Sequence, residues 1–327
     1  MEFINQSAEV WEQGYTLEDI WKHIARCTRV CYQTEKKNND ETDEEFCKRT
    51  ILKNEPLNSP KNHLAMLEHG TIYLEDESWS SSALEKYRYN EYSRYNDIHL
   101  RSERIEDGND SYTEHERGYY VTTNLRVLVE NNWLKDLKYL CAPTEHHAKR
   151  VTISCTTNIG VSREFNRHRV DSIAEESTRY CNYNKRNDGQ IKIGFPVWLN
   201  DEEHLPYIES HQFDKLSTYC EEILNDNNDI NSECWCDMDY YLFSLTVAEW
   251  CYNNLIRKGW RPQQAREILP LATKTQLVHT AFIEDWRHFL ALRLAGISGT
   301  PHPNMRELAR LINKTLKEHN YDTYRTN

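Results

Sequence analysis

An α+β fold is predicted from two observations: β-branched strand segments are mixed with long helical stretches, and the two do not alternate in the strand-helix-strand units that build a parallel sheet. A third observation bears on organisation. No internal repeat, Gly/Ser linker or low-complexity tract divides the 327 residues, so a single domain over 1–327 is expected, with an inserted segment at about 75–118.

The elements follow in chain order. In TLEDIWKHIARCTRVCY, Ile20, Ile24, Cys27 and Cys31 recur at helical spacing behind Thr16, a candidate N-cap. The acidic NNDETDEEF reads as a loop running into a second helix start. Thr71, Ile72, Tyr73 and Leu74 read as a strand, and Glu75 to Gly118 is polar and tyrosine-rich, with Gly108 and Asn109 marking a turn. VTTNLRVLVEN and KRVTISCTT are β-branched with a short helical stretch between them, and FDKLSTYCEEILND and MDYYLFSLTVAEWCYNNLIRKG read as helices, the second stopped by Gly259. Beyond the break at Pro270, TQLVHTAFIEDWRHFLALRLA predicts one long helix with Val278, Phe282, Trp286 and Phe289 on a single apolar stripe.

Composition excludes several function classes. With a formal net charge of −12, the global field repels nucleic acid polymers and anionic membranes, so any anion binding must be local, and phosphate on a small molecule fits best. The start MEFINQSAEVW has neither the basic flank nor the apolar core of a signal peptide, and no run approaches the ~18 apolar residues of a membrane span. A cytoplasmic protein is therefore expected, its ten cysteines reduced. Cys234 and Cys236 lack a second pair at zinc-finger spacing, so no metal is expected.

The acidic chain nevertheless gathers positive charge in RHRVDSIAEESTRY. Arg167, His168 and Arg169 are consecutive, which only a loop points toward one ligand. Ser177 and Arg179 add a hydroxyl and a second guanidinium fork, together a nucleotide-sized set of donors. On spacing alone a solvated helix surface competes, with Ser172 and Glu175 as a capping box and Arg179 paired to a glutamate.

Arg-His-Arg followed by seven residues and Ser, closing on Ser-x-Arg-Tyr, resembles the signature of the flavin-dependent thymidylate synthases. HLAMLEH is similar to that family's His-x-x-x-x-Glu-His segment, and AREILPL and HFLALR are similar to its Ala-Arg-x-x-Leu-Pro and Phe-Leu-x-Leu-Arg segments, all in the family's order. The resemblance implies a central, mostly antiparallel sheet flanked by long helices, and a homotetramer whose active sites are shared between subunits. It implies methylation of dUMP at C5 from methylenetetrahydrofolate, with FAD reduced by NADPH and no cysteine nucleophile.

Carried over residue by residue, Ser177 and Arg179 would hold the dUMP phosphate with Glu175 nearby, Arg266 would contact the nucleotide, and Arg293 would lie against the uracil carbonyl edge. Arg167, His168, Arg169 and Val170 would line the flavin, joined by His63, Glu68 and His288. Arg293 closes the predicted apolar stripe, where an arginine must reach water or meet an anion; uracil activation supplies one, and an ion pair with a buried acid is the competing reading. His63, Glu68 and His69 lack His-Glu-x-x-His spacing, which favours cofactor contact over zinc.

The chain also departs from the family. Glu164, which with Arg167 the resemblance also implies as a dUMP contact, stands where a Gln is frequent, and Ala174 stands where an Asn is common. Phe282 and Glu284 occupy positions where Asn and Arg often touch FAD, so the flavin pyrophosphate would need donors from the inserted segment or another subunit. His302 and Asn304 are candidate stand-ins near the end. Two other functions stay open: a flavin enzyme transferring another one-carbon unit to dUMP, and a non-catalytic nucleotide-binding protein.

Overall fold

The computed structural model describes residues 1–76, 83–99, 117–183, 190–199, 204, 235–321 and 323. The helix expected over 213–226 and the turn at Gly108 and Asn109 lie outside them.

Helix α1, Leu17–Tyr32, begins as its sequence dictates. Thr16 Oγ1 accepts from Asp19 N at 3.1 Å and Asp19 Oδ2 accepts from Thr16 N at 3.2 Å, a reciprocal capping box. Thr42 and Glu45 repeat the device at α2, Asp43–Thr50. Ile20, Ile24 and Cys27 are fully buried, so the apolar stripe is the face that α1 turns to the core.

The described strands are β1 (Glu2–Ile4), β2 (Ser7–Trp11), β3 (Thr71–Asp76), β4 (Arg94–His99), β5 (Arg117–Asn124), β6 (Arg150–Asn158), β7 (Ser172–Glu175), β8 (Lys192–Gly194) and β9 (Lys274–Phe282). They divide into three sheets. An antiparallel four-stranded sheet runs β2-β6-β9-β7, an antiparallel three-stranded sheet runs β3-β5-β4, and β1 pairs with β8 in parallel. The mixture of helix with antiparallel sheet is as expected. Part of the segment expected to be an insertion is built into the fold, since β4 pairs with β5 along its length and Tyr87 is fully buried with its hydroxyl donating to Asp136 Oδ2 at 2.9 Å.

Further helices are α3 (Leu125–Glu130), α4 (Ile159–Phe165), α5 (Asp237–Arg257), α6 (Ile283–Arg293) and α7 (Pro303–Glu318). Two expectations need correction here. VTTNLRVLVEN is a strand only to Asn124, where the side chain accepts from Val127 N at 3.1 Å and starts α3. The long helix expected over 275–295 is a strand to Phe282 and a helix only from Ile283. Strand β9 is covered on both faces, Val278 packing in one core and Leu277 and Ala281 in the other, so its sequence lacks strand alternation. Phe282 is the N-cap and supplies no side-chain hydrogen bond, so nothing polar marks the switch. Phe282 therefore does not share a helical face with Trp286 and Arg293.

The four-stranded sheet lies between two cores. One face packs α4, α6 and α7 through Phe165, Trp286, Phe289, Met305 and Leu308. The other meets α1 and the turn Leu64–His69 through a buried polar chain: His23 Nε2 hydrogen bonds with Thr152 Oγ1 at 3.0 Å, Thr152 with Thr280 at 2.7 Å, and Thr280 with His69 Nδ1 at 2.8 Å. Pairing among these groups offsets the cost of burying them.

Candidate active site

The arginine-rich segment is a short loop between α4 and β7, and its residues separate by exposure. Asn158 starts α4 by accepting from Val161 N at 2.8 Å, the same strand-to-helix device as Asn124. Ser172 to Glu175 is strand, which removes the capping-box reading of those two residues. Arg167, Arg169 and Val170 face solvent, Val170 at 67% exposure, while His168 is buried.

His168 sits under α6. Its ring meets Phe289 edge-on at 4.9 Å, and Arg293 Nε donates to its Nε2 at 3.2 Å. Arg293 also donates from Nη1 to Glu164 Oε2 at 3.3 Å and from Nη2 to the Glu164 carbonyl at 3.2 Å. Arg293 thus pairs with an acid on α4, while the rest of its guanidinium stays partly open. Burial pushes the His168 pKa down to about 4; the Asp171 carboxylate opposes this and the Arg293 guanidinium adds to it.

A second chain runs beneath the loop. His279, on β9, is stacked on Phe165 at 3.8 Å and joins Asp171 Oδ2 at 2.9 Å and Asn166 Oδ1 at 3.3 Å. Asn166 Nδ2 donates to Glu175 Oε2 at 2.9 Å, and Thr275 Oγ1 donates to Glu175 Oε1 at 3.1 Å. The neighbouring Glu176 is buried and paired with Lys274 at 2.6 Å. Glu175 is therefore a fixed acceptor at the edge of the sheet, held by residues the sequence reading missed. Asn166 adjoins the motif and was findable; His279 was not, because only strand pairing brings it opposite Ile173.

Beyond β7 the chain turns. Ser177 N donates to Cys31 O at 3.3 Å, and Arg179 N donates to Ser177 Oγ at 3.3 Å. Arg179 and Arg266 are both exposed and reach between the same two turns: Arg179 Nε donates to Gln263 Oε1 at 3.2 Å, and Arg266 Nη1 donates to Thr178 Oγ1 at 3.2 Å. Two cations and two hydroxyls thus converge on one surface, although Arg266 lies 87 positions beyond Arg179 (266 − 179). Next to them Tyr180 lies 5.9 Å from Tyr32, whose hydroxyl hydrogen bonds with His63 Nδ1.

The other predicted residues stand apart from this cluster. Glu68 pairs with Arg126, and its carbonyl accepts from Arg150 Nη1 at 3.0 Å. His288 is exposed on α6. Asn304 is buried and its Oδ1 accepts from Val197 N at 2.9 Å, so it is tied into the fold; His302 lies against Trp198. Within the chain, Arg179 and Arg266 are therefore brought together, while Arg293 groups with Glu164 and His168. A cleft of about 160 Å³ beside Tyr15, Tyr73, Lys149 and Tyr321 includes none of the predicted residues.

A family model described as thymidylate synthase complementing protein matches residues 138–319. A flavin-dependent thymidylate synthase of Corynebacterium aurimucosum is 27% identical over 157 residues, 48% of this chain and 53% of that one. The same enzyme of Corynebacterium efficiens is 28% identical over 138 residues, 41% of this chain and 46% of that one. The chain spans about half the length of the curated relatives it matches. Among solved structures, thymidylate synthase X of Helicobacter pylori with FAD and dUMP aligns at 17% identity and a TM-score of 0.34, over 52% of this chain and 69% of that one.

Proposed function

The chain belongs to the thymidylate synthase complementing protein family, and from that premise we propose that it is a flavin-dependent thymidylate synthase, converting dUMP to dTMP. Methylenetetrahydrofolate is the carbon donor and NADPH the reductant. The observation that carries this reading is the convergence of Arg179 and Arg266 beside Ser177 and Thr178. Two guanidinium forks and a hydroxyl form a phosphate site in a chain otherwise too acidic to attract one.

The nucleotide phosphate is assigned to Ser177, Arg179 and Arg266, and Glu175 orients the sugar end through an acceptor already held in place by Asn166 and Thr275. Arg293 takes the uracil carbonyl edge. Three of its donors are occupied by His168 and Glu164, which fixes the guanidinium plane, and the remainder are available to an acceptor. A guanidinium held in advance stabilises negative charge as it develops on the pyrimidine, which lowers the barrier more than it tightens ground-state binding.

FAD suits the donors present. Arg167 and Arg169 are exposed, and among the described residues neither has a carboxylate within 4.0 Å, which fits a ligand that carries a pyrophosphate. Val170 offers an apolar contact, and His63, His168, Glu68 and His288 complete the assigned set. Bound flavin supplies the hydride. Because these groups are dispersed in one subunit, the reading includes a homotetramer in which neighbouring subunits complete each site. Among the described residues no helix is long and apolar enough to cross a membrane, and a cytoplasmic location is proposed.

An anaerobic assay with dUMP, methylenetetrahydrofolate, NADPH and FAD tests the reading by the appearance of dTMP. A dUMP derivative carrying a one-carbon group other than methyl would assign a different one-carbon transfer. Colourless protein that binds dUMP and takes up no FAD would overturn the enzyme reading.

A further inference from the structure

The two departures at the head of α6, Phe282 and Glu284, are bordered by a guanidinium from outside the matched segment 138–319. Arg94, on β4, places its guanidinium carbon 4.3 Å from the centroid of the Phe282 ring. Its Nη2 lies 3.9 Å from Asp285 Oδ2, too far for a hydrogen bond. Strand β4 carries it there by pairing with β5, Arg94 opposite Thr122.

The local field explains why a cation is useful at this position. Glu284 and Asp285 lie in the first turn of α6; burial raises the pKa of Asp285, the Arg94 guanidinium opposes that shift, and the Asp171 and Glu284 carboxylates add to it. Such acids suit a helix start but repel any anion that approaches it. Arg94 is the counter-charge. Its side chain is 45% exposed, and one donor is engaged at hydrogen-bond distance, Nη1 to the Ser93 carbonyl at 3.3 Å. The flat face rests on an aromatic ring while donor edges stay free, the arrangement in which a guanidinium grips phosphate oxygens.

We propose that Arg94, supplied by the inserted segment, anchors the pyrophosphate of the flavin nucleotide at the head of α6, replacing donors that Phe282 and Glu284 do not provide. The proposal rests on the FAD reading above and assigns a binding residue that the matched family segment does not contain.

The test compares FAD with riboflavin, which lacks phosphate, on the full chain, with binding followed by quenching of flavin fluorescence. Arg94→Ala should weaken FAD about tenfold or more, the loss of one charge-assisted contact, and leave riboflavin within about twofold. Equal weakening of both flavins would mark Arg94 as a structural residue and overturn the proposal, as would unchanged FAD binding. If Arg94→Ala does not fold, Arg94→Lys keeps the charge and loses the planar fork; it should still weaken FAD severalfold, and wild-type affinity in that variant overturns the proposal. Wild-type protein that binds dUMP but no flavin would instead bring down the FAD reading itself, an outcome distinct from a variant that matches a flavin-binding wild type.

Discussion

Arg293 donates from Nε to His168 Nε2 at 3.2 Å. A guanidinium has no acceptor, so that imidazole nitrogen carries no proton, and a neutral ring follows. The pKa of about 4 agrees, burial being its main cause. One contact thus fixes both a tautomer and the plane of the guanidinium.

Arg293→Lys should lower kcat about 10²–10³-fold, the loss expected on removing a preorganised donor, while FAD affinity changes far less. Steady-state kinetics beside a flavin titration would check this. Equal loss in both measurements would contradict the uracil role.

Acid should destabilise the fold in a defined window. His23 and His168 have folded pKa values pushed down to about 4 by burial, against about 6.5 in the unfolded chain. Above pH 6.5 both states hold these rings neutral and the stability is fully present; as pH falls toward 4 the unfolded chain binds protons that the native state refuses. Each ring should cost ~1.4 kcal/mol per pH unit inside that window. Urea midpoints at pH 7 and pH 5 would show the drop, and a midpoint that rises on acidification contradicts the assignment.

Arg179→Ala and Arg266→Ala should each weaken dUMP binding by roughly tenfold to a hundredfold, the range for a charge-assisted hydrogen bond. Calorimetry against dUMP and deoxyuridine separates the phosphate contribution. If deoxyuridine loses as much as dUMP, the two arginines do not hold the phosphate.

No thiol is expected to act as nucleophile. Burial raises the pKa of Cys31 to about 11 and of Cys47 to about 12, and it raises Cys27 and Cys155 as well. Cys→Ala variants made one at a time should all retain dTMP formation. Complete loss in one variant that is shown to be folded would restore a covalent thiol mechanism.

Much of the fold was legible where a polar residue marks a boundary. Thr16 and Thr42 announce their helices, and Gly259, at φ +93, ends α5 in a conformation that favours glycine. The strand-to-helix switch at Phe282 was not legible, because a cap without a hydrogen-bonding side chain leaves the apolar run unbroken. The arginine motif named candidate donors along the chain. It did not show that Asn166 and His279 would brace Glu175, since those partners meet only through the pairing of β7 with β9. Arg94 was hidden for the same reason: its neighbours Phe282 and Asp285 lie almost two hundred residues away in sequence.

Strand β7 is four residues long and, among the described residues, ends its sheet with β9 as its sole strand partner. Its aim is therefore inherited. Side chains on a strand alternate between faces, so a slip of one position against β9 would swing Glu175 away from Asn166 and misdirect the whole turn that follows. If the proposed nucleotide site is right, changes deep in β9 should then read out as faults in substrate grip, and specificity would drift through residues that never touch the substrate.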